Sequence, residues 1–207
     1  MRVGARVRLT VFTTAVMAAG ACLSLPPARV EPVLYRGEVT ESGSDAVVDP
    51  RVPRAPDLVS AAVEVGPADV AFHIHFEPAS YRADAIDITV QLDTDLSPGT
   101  GTRIGPAFGM DYAINAGRLF HHNDYSVSRV APGECLEPRG GCFIKTGSGP
   151  VRFLDDGMEF LVPRAALGRF SGEFTFRVLA YVKPVGAQFS IVTDQIPNAG
   201  AAPARVR

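Results

Sequence analysis

The chain has 207 residues, 46% hydrophobic and 20% charged, with a formal net charge of −2. That balance belongs to a globular protein with enough apolar material for a core, and it excludes a disordered chain. The 18 arginines and two lysines are scattered, without the basic stripe that a nucleic-acid surface requires, so nucleic acid is excluded as a partner.

Residues 1–21 read as an export signal. Arg2, Arg6 and Arg8 form a positive head, and residues 9–25 carry no charge. The uncharged stretch is too short and too weakly apolar for a comfortable membrane span. Ala19, Gly20 and Ala21 offer a small-x-small cleavage site that leaves Cys22 first. Plain secretion, a lipid anchor on Cys22 and an uncleaved anchor all stay open, although Ala19 stands where a lipoprotein signal usually has Leu. The expected location is therefore secreted or in the cell envelope. Cleavage removes three arginines and takes the formal charge from −2 to −5. A mildly acidic mature chain argues against anionic membranes, leaving a lipid anchor as the one expected membrane contact.

Residues 22–56 hold prolines, scattered charge and little periodicity, and are expected to form a flexible linker in which Leu34 and Tyr35 could dock as an extra edge strand. From residue 57 the hydrophobic period is two. Val70, Phe72, Ile74 and Phe76 alternate with Ala71, His73, His75 and Glu77; Ile86, Ile88, Val90 and Leu92 alternate with Asp87, Thr89, Gln91 and Asp93. Similar runs cover residues 158–162, 174–182 and 189–192. Successive side chains of a strand point to opposite faces, so each run buries one face and shows the other. Asp155, Asp156 and Gly157 supply a hairpin turn. Pro163 and Gly168 frame a single helical turn, and no window carries a longer amphipathic helix. Nine or ten strands are too many for one small open sheet. The fold is therefore expected to be all-β, a two-sheet antiparallel sandwich over residues 57–200, followed by a frayed tail over 201–207.

Several constellations could carry chemistry. At the end of an apolar strand, Asp93 and Asp95 precede the turn made by Gly99, Thr100 and Gly101. Oxygen ligands on a turn suit Ca²⁺, with Asp111 and backbone carbonyls completing the set. The loop is not an EF-hand, because Pro98 and Ile104 stand where that motif needs Gly and Glu. The alternative is that these carboxylates only hydrogen-bond the turn backbone. Cys135 and Cys142 flank a Pro/Gly-rich loop that suits a local disulfide, which stabilises by roughly 2.5 kcal/mol through chain entropy; half of a metal site is the alternative. His73 and His75 share one strand face with Glu77 beyond. They could hold a transition metal if His121 or His122 supplied a third ligand, the working parts of a metal-assisted hydrolase. Ser148 sits in a Gly-rich turn with no neighbouring base. No serine elbow, HExxH helix, phosphate loop or dinucleotide fingerprint is present.

The strand ending Leu92-Asp93-Thr94-Asp95, the Thr-Gly turn after it and the run from Gly109 through Asn115 resemble the β-sandwich domains similar to family 9 carbohydrate-binding modules and DOMON domains. The segments around 57–63, 160–168 and 194–200 agree. The resemblance implies a secreted sandwich that often holds a structural calcium and binds sugars or, in some branches, haem, for which Met110 and a histidine would be needed. The chain departs from the sugar-binding pattern in having no Trp and five Tyr; Tyr112, Tyr125 and Tyr181 are the aromatic substitutes, and Trp is the best such platform. The leading expectation is a non-catalytic extracytoplasmic domain that binds a glycan or cell-envelope component and is calcium-stabilised near Asp93 and Asp95. A metal-dependent hydrolase using His73 and His75, and a purely structural envelope protein, are the alternatives.

Overall fold

The computed structural model describes residues 25–41, 45–46, 49, 51–52, 55–131 and 142–207. In chain order the strands are β1 (Tyr35–Thr40), β2 (Leu58–Val65), β3 (Asp69–Phe76), β4 (Ile86–Asp93), β5 (Thr102–Arg103), β6 (Gly109–Met110) and β7 (Tyr112–Gly117). They continue with β8 (Asp124–Ala131), β9 (Cys142–Pro150), β10 (Arg152–Phe153), β11 (Gly157–Pro163), β12 (Phe174–Val182), β13 (Ile191–Ile196) and β14 (Ala204–Val206). The only helical element among the described residues is a 3-10 turn, Arg164–Leu167, closed by Gly168 at φ 66° as its framing by Pro and Gly predicts. No helix among them is long and apolar enough to cross a membrane.

The strands form two large antiparallel sheets, ordered β1-β2-β3-β11-β10 and β13-β12-β4-β7-β8-β9, with β14 paired to β12. Period-two alternation builds the interior. Val70, Phe72, Ile74 and Phe76 of β3 face Ile86, Ile88, Val90 and Leu92 of β4 and Phe174, Phe176 and Val178 of β12 within one buried cluster. Phe72 and Phe160 stack with centroids 5.2 Å apart, and Tyr125 lies 5.3 Å from Phe160. Burying each such side chain stabilises by about 1.5–3 kcal/mol, which makes this shared interior the main term holding the sheets together.

Two segments depart from expectation. Within the supposed linker, β1 pairs with β2 over six residues, and Ala28 and Val30 are buried against Ala71 and Leu161 on the outer face of the five-stranded sheet. The tail contributes β14, which pairs Val206 with Phe174 and Ala204 with Phe176. Its backbone also exchanges two hydrogen bonds of 3.2 Å with Arg36 of β1. The last strand thus joins the two sheets along one edge. Both segments are short, and their proline content masks the alternation of Ala204 and Val206 around Arg205. The apolar run at 189–192 is also displaced: β13 starts at Ile191, and Phe189 is 78% exposed. The strand count reaches fourteen because β5, β6 and β10 are two-residue pieces with no periodicity to read.

Candidate functional site: the roofed outer face of the larger sheet

Alternation places Asp87, Thr89, Gln91 and Asp93 of β4 on the outer face of the larger sheet, beside Tyr181, Leu179, Arg177 and Thr175 of β12 in register. A polar outward face is normally wet, yet Asp87, Gln91 and Asp93 are all buried. Loops from both ends fold back over β4, and the aspartates hold them there.

At one end Asp87 takes the β7–β8 loop. Its carboxylate accepts the backbone N–H of Leu119 at 2.9 Å and of Phe120 at 3.0 Å, and His121 Nδ1 lies 2.9 Å from it. At the other end Asp93 accepts the N–H of Ser97 at 3.0 Å and of Gly109 at 3.3 Å. Asp95 accepts from Ser97 N and Thr100 Oγ1, both at 2.9 Å. Asp111 accepts from Thr94 N at 2.8 Å and Thr94 Oγ1 at 2.9 Å. The structure thus brings Asp93, Asp95 and Asp111 together, each offering an oxygen within 4.8 Å of the others. Burial pushes the carboxyls of Asp93 and Asp111 up, and the neighbouring carboxylates add to the shift. The same three side chains make the turn hydrogen bonds that were the alternative reading.

The roof leaves two cavities on this face. The first, about 330 Å³, is lined by Ile104, Phe108, Arg177, Gln195, Pro197 and Pro203 among others. Arg177 Nε donates to Gln91 Oε1 at 2.5 Å, and its guanidinium stands 5.2 Å from the Phe108 ring centroid. Among the described residues no carboxylate pairs with Arg177, and burial lowers its pKa. A guanidinium has five N–H donors, so most remain for other acceptors. The second cavity, about 280 Å³, is lined by Asp87, Thr89, Asn115, Phe120, His121 and Tyr181 among others. Thr89 Oγ1 donates to Asn115 Oδ1 at 2.6 Å on its floor.

The histidines do not converge. His73 Nδ1 lies 3.2 Å from Glu159 and His75 Nδ1 3.4 Å from Asp156, both on the five-stranded sheet, whereas His121 belongs to the larger one. Among the described residues, no grouping of three or more metal-capable side chains contains a histidine. Of the three tyrosines, Tyr125 is buried with its hydroxyl on Leu161 O at 2.6 Å and Tyr112 is buried, so only Tyr181 reaches the outer face. Met110 is buried with Phe108, Ala113 and Val130. Ser148 is exposed on β9 opposite Ser126. Cys22, Cys135 and the Cys142 side chain lie outside the described residues.

Two features were missed in the sequence. Arg177 meets Gln91 and Phe108 only through cross-strand register and loop return, which no local pattern encodes. A second carboxylate group, Glu41, Asp45 and Asp194, draws on segments 136 or more residues apart where Asp194 meets Leu58 N at 2.6 Å. Its one readable signal was Asp194 at the inward position two before Ile196. No known protein family, curated protein or solved structure matches this chain.

Proposed function

We propose that the chain is a non-catalytic, extracytoplasmic ligand-binding sandwich that takes a glycan or polysaccharide of the cell envelope along the outer face of its larger sheet. The observation that carries this reading is Arg177, which lies half-buried without a carboxylate partner among the described residues, backed by Phe108, in a cavity of about 330 Å³. A second cavity stands along the same strands. An extended ligand with many hydroxyls suits this row. Gln195, Asn115 and Thr89 supply amide and hydroxyl partners, Tyr181 and Phe120 offer ring faces for sugar C–H groups, and Arg177 suits a paired oxygen acceptor.

Calcium fits this reading at Asp93, Asp95 and Asp111, because carboxylate oxygens on a turn are its preferred donors. Bound there, the ion neutralises three converging carboxylates. The chain's own contribution is to hold the loop that carries Phe108 over Arg177. On this reading chelation lowers the melting temperature by about 5–10 °C, the equivalent of roughly 2.7 kcal/mol at a hundredfold excess over the dissociation constant. Asp93→Ala removes the part of that response that belongs to this site.

Screening the mature protein on an array of neutral and acidic envelope glycans tests the binding reading. Arg177→Ala is expected to weaken a retained glycan about 10- to 100-fold, the loss of a charged hydrogen bond, and Tyr181→Ala to weaken it as well. If no glycan is retained, or if both variants bind as the parent does, the reading fails and a purely structural envelope role takes its place.

A further inference from the structure

A second cluster of carboxylates joins residues flanking β1 and β2 to one from β13. Glu41 follows β1, Asp45 lies just beyond it, and Asp194 projects inward from β13; one oxygen from each falls within 4.8 Å of the others. Asp57, immediately before β2, is 5% exposed, and its Oδ1 is buried with no hydrogen-bond partner. Glu41 Oε2 is likewise buried and unpartnered. The charge of Asp57 acts on both Glu41 and Asp194. Among the described residues no Lys, Arg or His forms an ion pair with any of the four.

This arrangement is costly for a bare protein. A buried polar atom left unsatisfied is destabilising and a charged one more so, and like charges add to that. The contrast with Asp93, Asp95 and Asp111 is informative, since those carboxylates spend their oxygens on the turn they hold. Here two buried oxygens have nothing to accept.

We propose that Glu41, Asp45 and Asp194, with Asp57 beside them, form a binding site for a divalent oxygen-seeking cation, Ca²⁺ in particular, that clasps the two sheets together. The donors are all oxygen, which disfavours zinc, copper and iron. Ca²⁺ accepts flexible coordination by carboxylate and carbonyl oxygens, whereas Mg²⁺ demands a near-ideal octahedron and keeps its waters, so a cluster drawn from separate segments suits the larger ion. Glu41 and Asp57 border the five-stranded sheet and Asp194 belongs to the larger one, so an ion held between them links the two layers. Burial first, and then the neighbouring carboxylates, push Glu41 up to about 7 and Asp194 up to about 6, as expected for anions lacking their counter-charge.

The test uses metal-stripped full-length protein titrated with CaCl₂ in a calorimeter, in parallel with melting curves. The Asp93→Asn background removes the other acidic cluster, so any remaining equivalent reports on this one. That background is expected to bind one Ca²⁺ and to melt several degrees higher when loaded. Glu41→Gln keeps the side-chain shape, and Asp45→Asn alters an exposed position, so a folded protein is available whichever variant is less tolerant. Either substitution is expected to weaken that equivalent at least 10-fold. Absence of any binding in the Asp93→Asn background overturns the proposal, as does an equivalent that survives both substitutions unchanged. The glycan experiments stand or fall separately.

Discussion

Ending the chain after residue 202 removes β14, and the cost follows from what that strand buries. Val206 is fully buried and Ala204 nearly so; residues 204–206 pair with Phe174, Thr175 and Phe176, and the backbone of Arg207 exchanges two further bonds with Arg36. One buried Val contributes about 1.5–3 kcal/mol and each net backbone hydrogen bond about 0.5–1.5 kcal/mol. Against the entropy of ordering the strand, the truncation is expected to cost about 3–5 kcal/mol, a large share of the 5–15 kcal/mol that holds a domain folded. Val206→Ala isolates the apolar part, at about 2 kcal/mol, and lowers the melting temperature by about 4–8 °C. Gly37→Ala attacks the same seam from β1, since its Cβ would stand 2.7 Å from Arg205 O and 2.8 Å from Val206 Cγ2. Arg205→Ala is the control. Its side chain pairs with Glu173 at 2.9 Å on the surface, where such a bond is worth about 0–1 kcal/mol. Urea denaturation followed by circular dichroism measures all four. A truncated chain with an unchanged midpoint would refute the claim that the terminal strand joins the two sheets.

Other expectations are briefer. Gly117 has φ 148°, and a Cβ there would meet Asp87 Oδ1 at 2.1 Å and Ile86 O at 2.5 Å. Gly117→Ala should therefore cost about 2 kcal/mol or more and loosen the 118–123 loop, whereas Gly186→Ala, with nothing within 4 Å, carries only its backbone strain. Hydrogen exchange at Leu119 and Phe120 separates these outcomes; equal protection in both variants speaks against the Asp87 anchor. In chelator, Glu41 near 7 and Asp194 near 6 both exceed their ordinary values of 4.5 and 3.8, with Asp45 and Asp57 reinforcing the shift. The fold thus prefers their protonated forms. Their contribution to stability is complete below about pH 4 and is lost as pH rises toward 7. Asp93 and Asp111, also raised, act in the same direction. The denaturation midpoint of the stripped protein is expected to fall between pH 4.5 and 7.5, and a rising midpoint contradicts the unpaired carboxylates.

The architecture was legible because burial on one face of a strand writes itself into adjacent residues. Val70, Phe72, Ile74 and Phe76 declare β3 without reference to anything else, and the same holds for β4, β11 and β12. The meeting of Asp93, Asp95 and Asp111 was legible for a related reason: all three border one short loop, and local turn chemistry brings them near. Tertiary structure alone decided the rest. Whether residues 35–40 and 204–206 join the sheets depends on edges that other strands expose, and so does the burial of Asp87, Gln91 and Asp93 on a face whose alternation reads as solvent-exposed. Arg177 beneath Phe108, and Asp194 beside Glu41, meet through strand order and loop return. Local periodicity specifies which way a side chain points, but what it points at is set by the packing of segments distant along the chain.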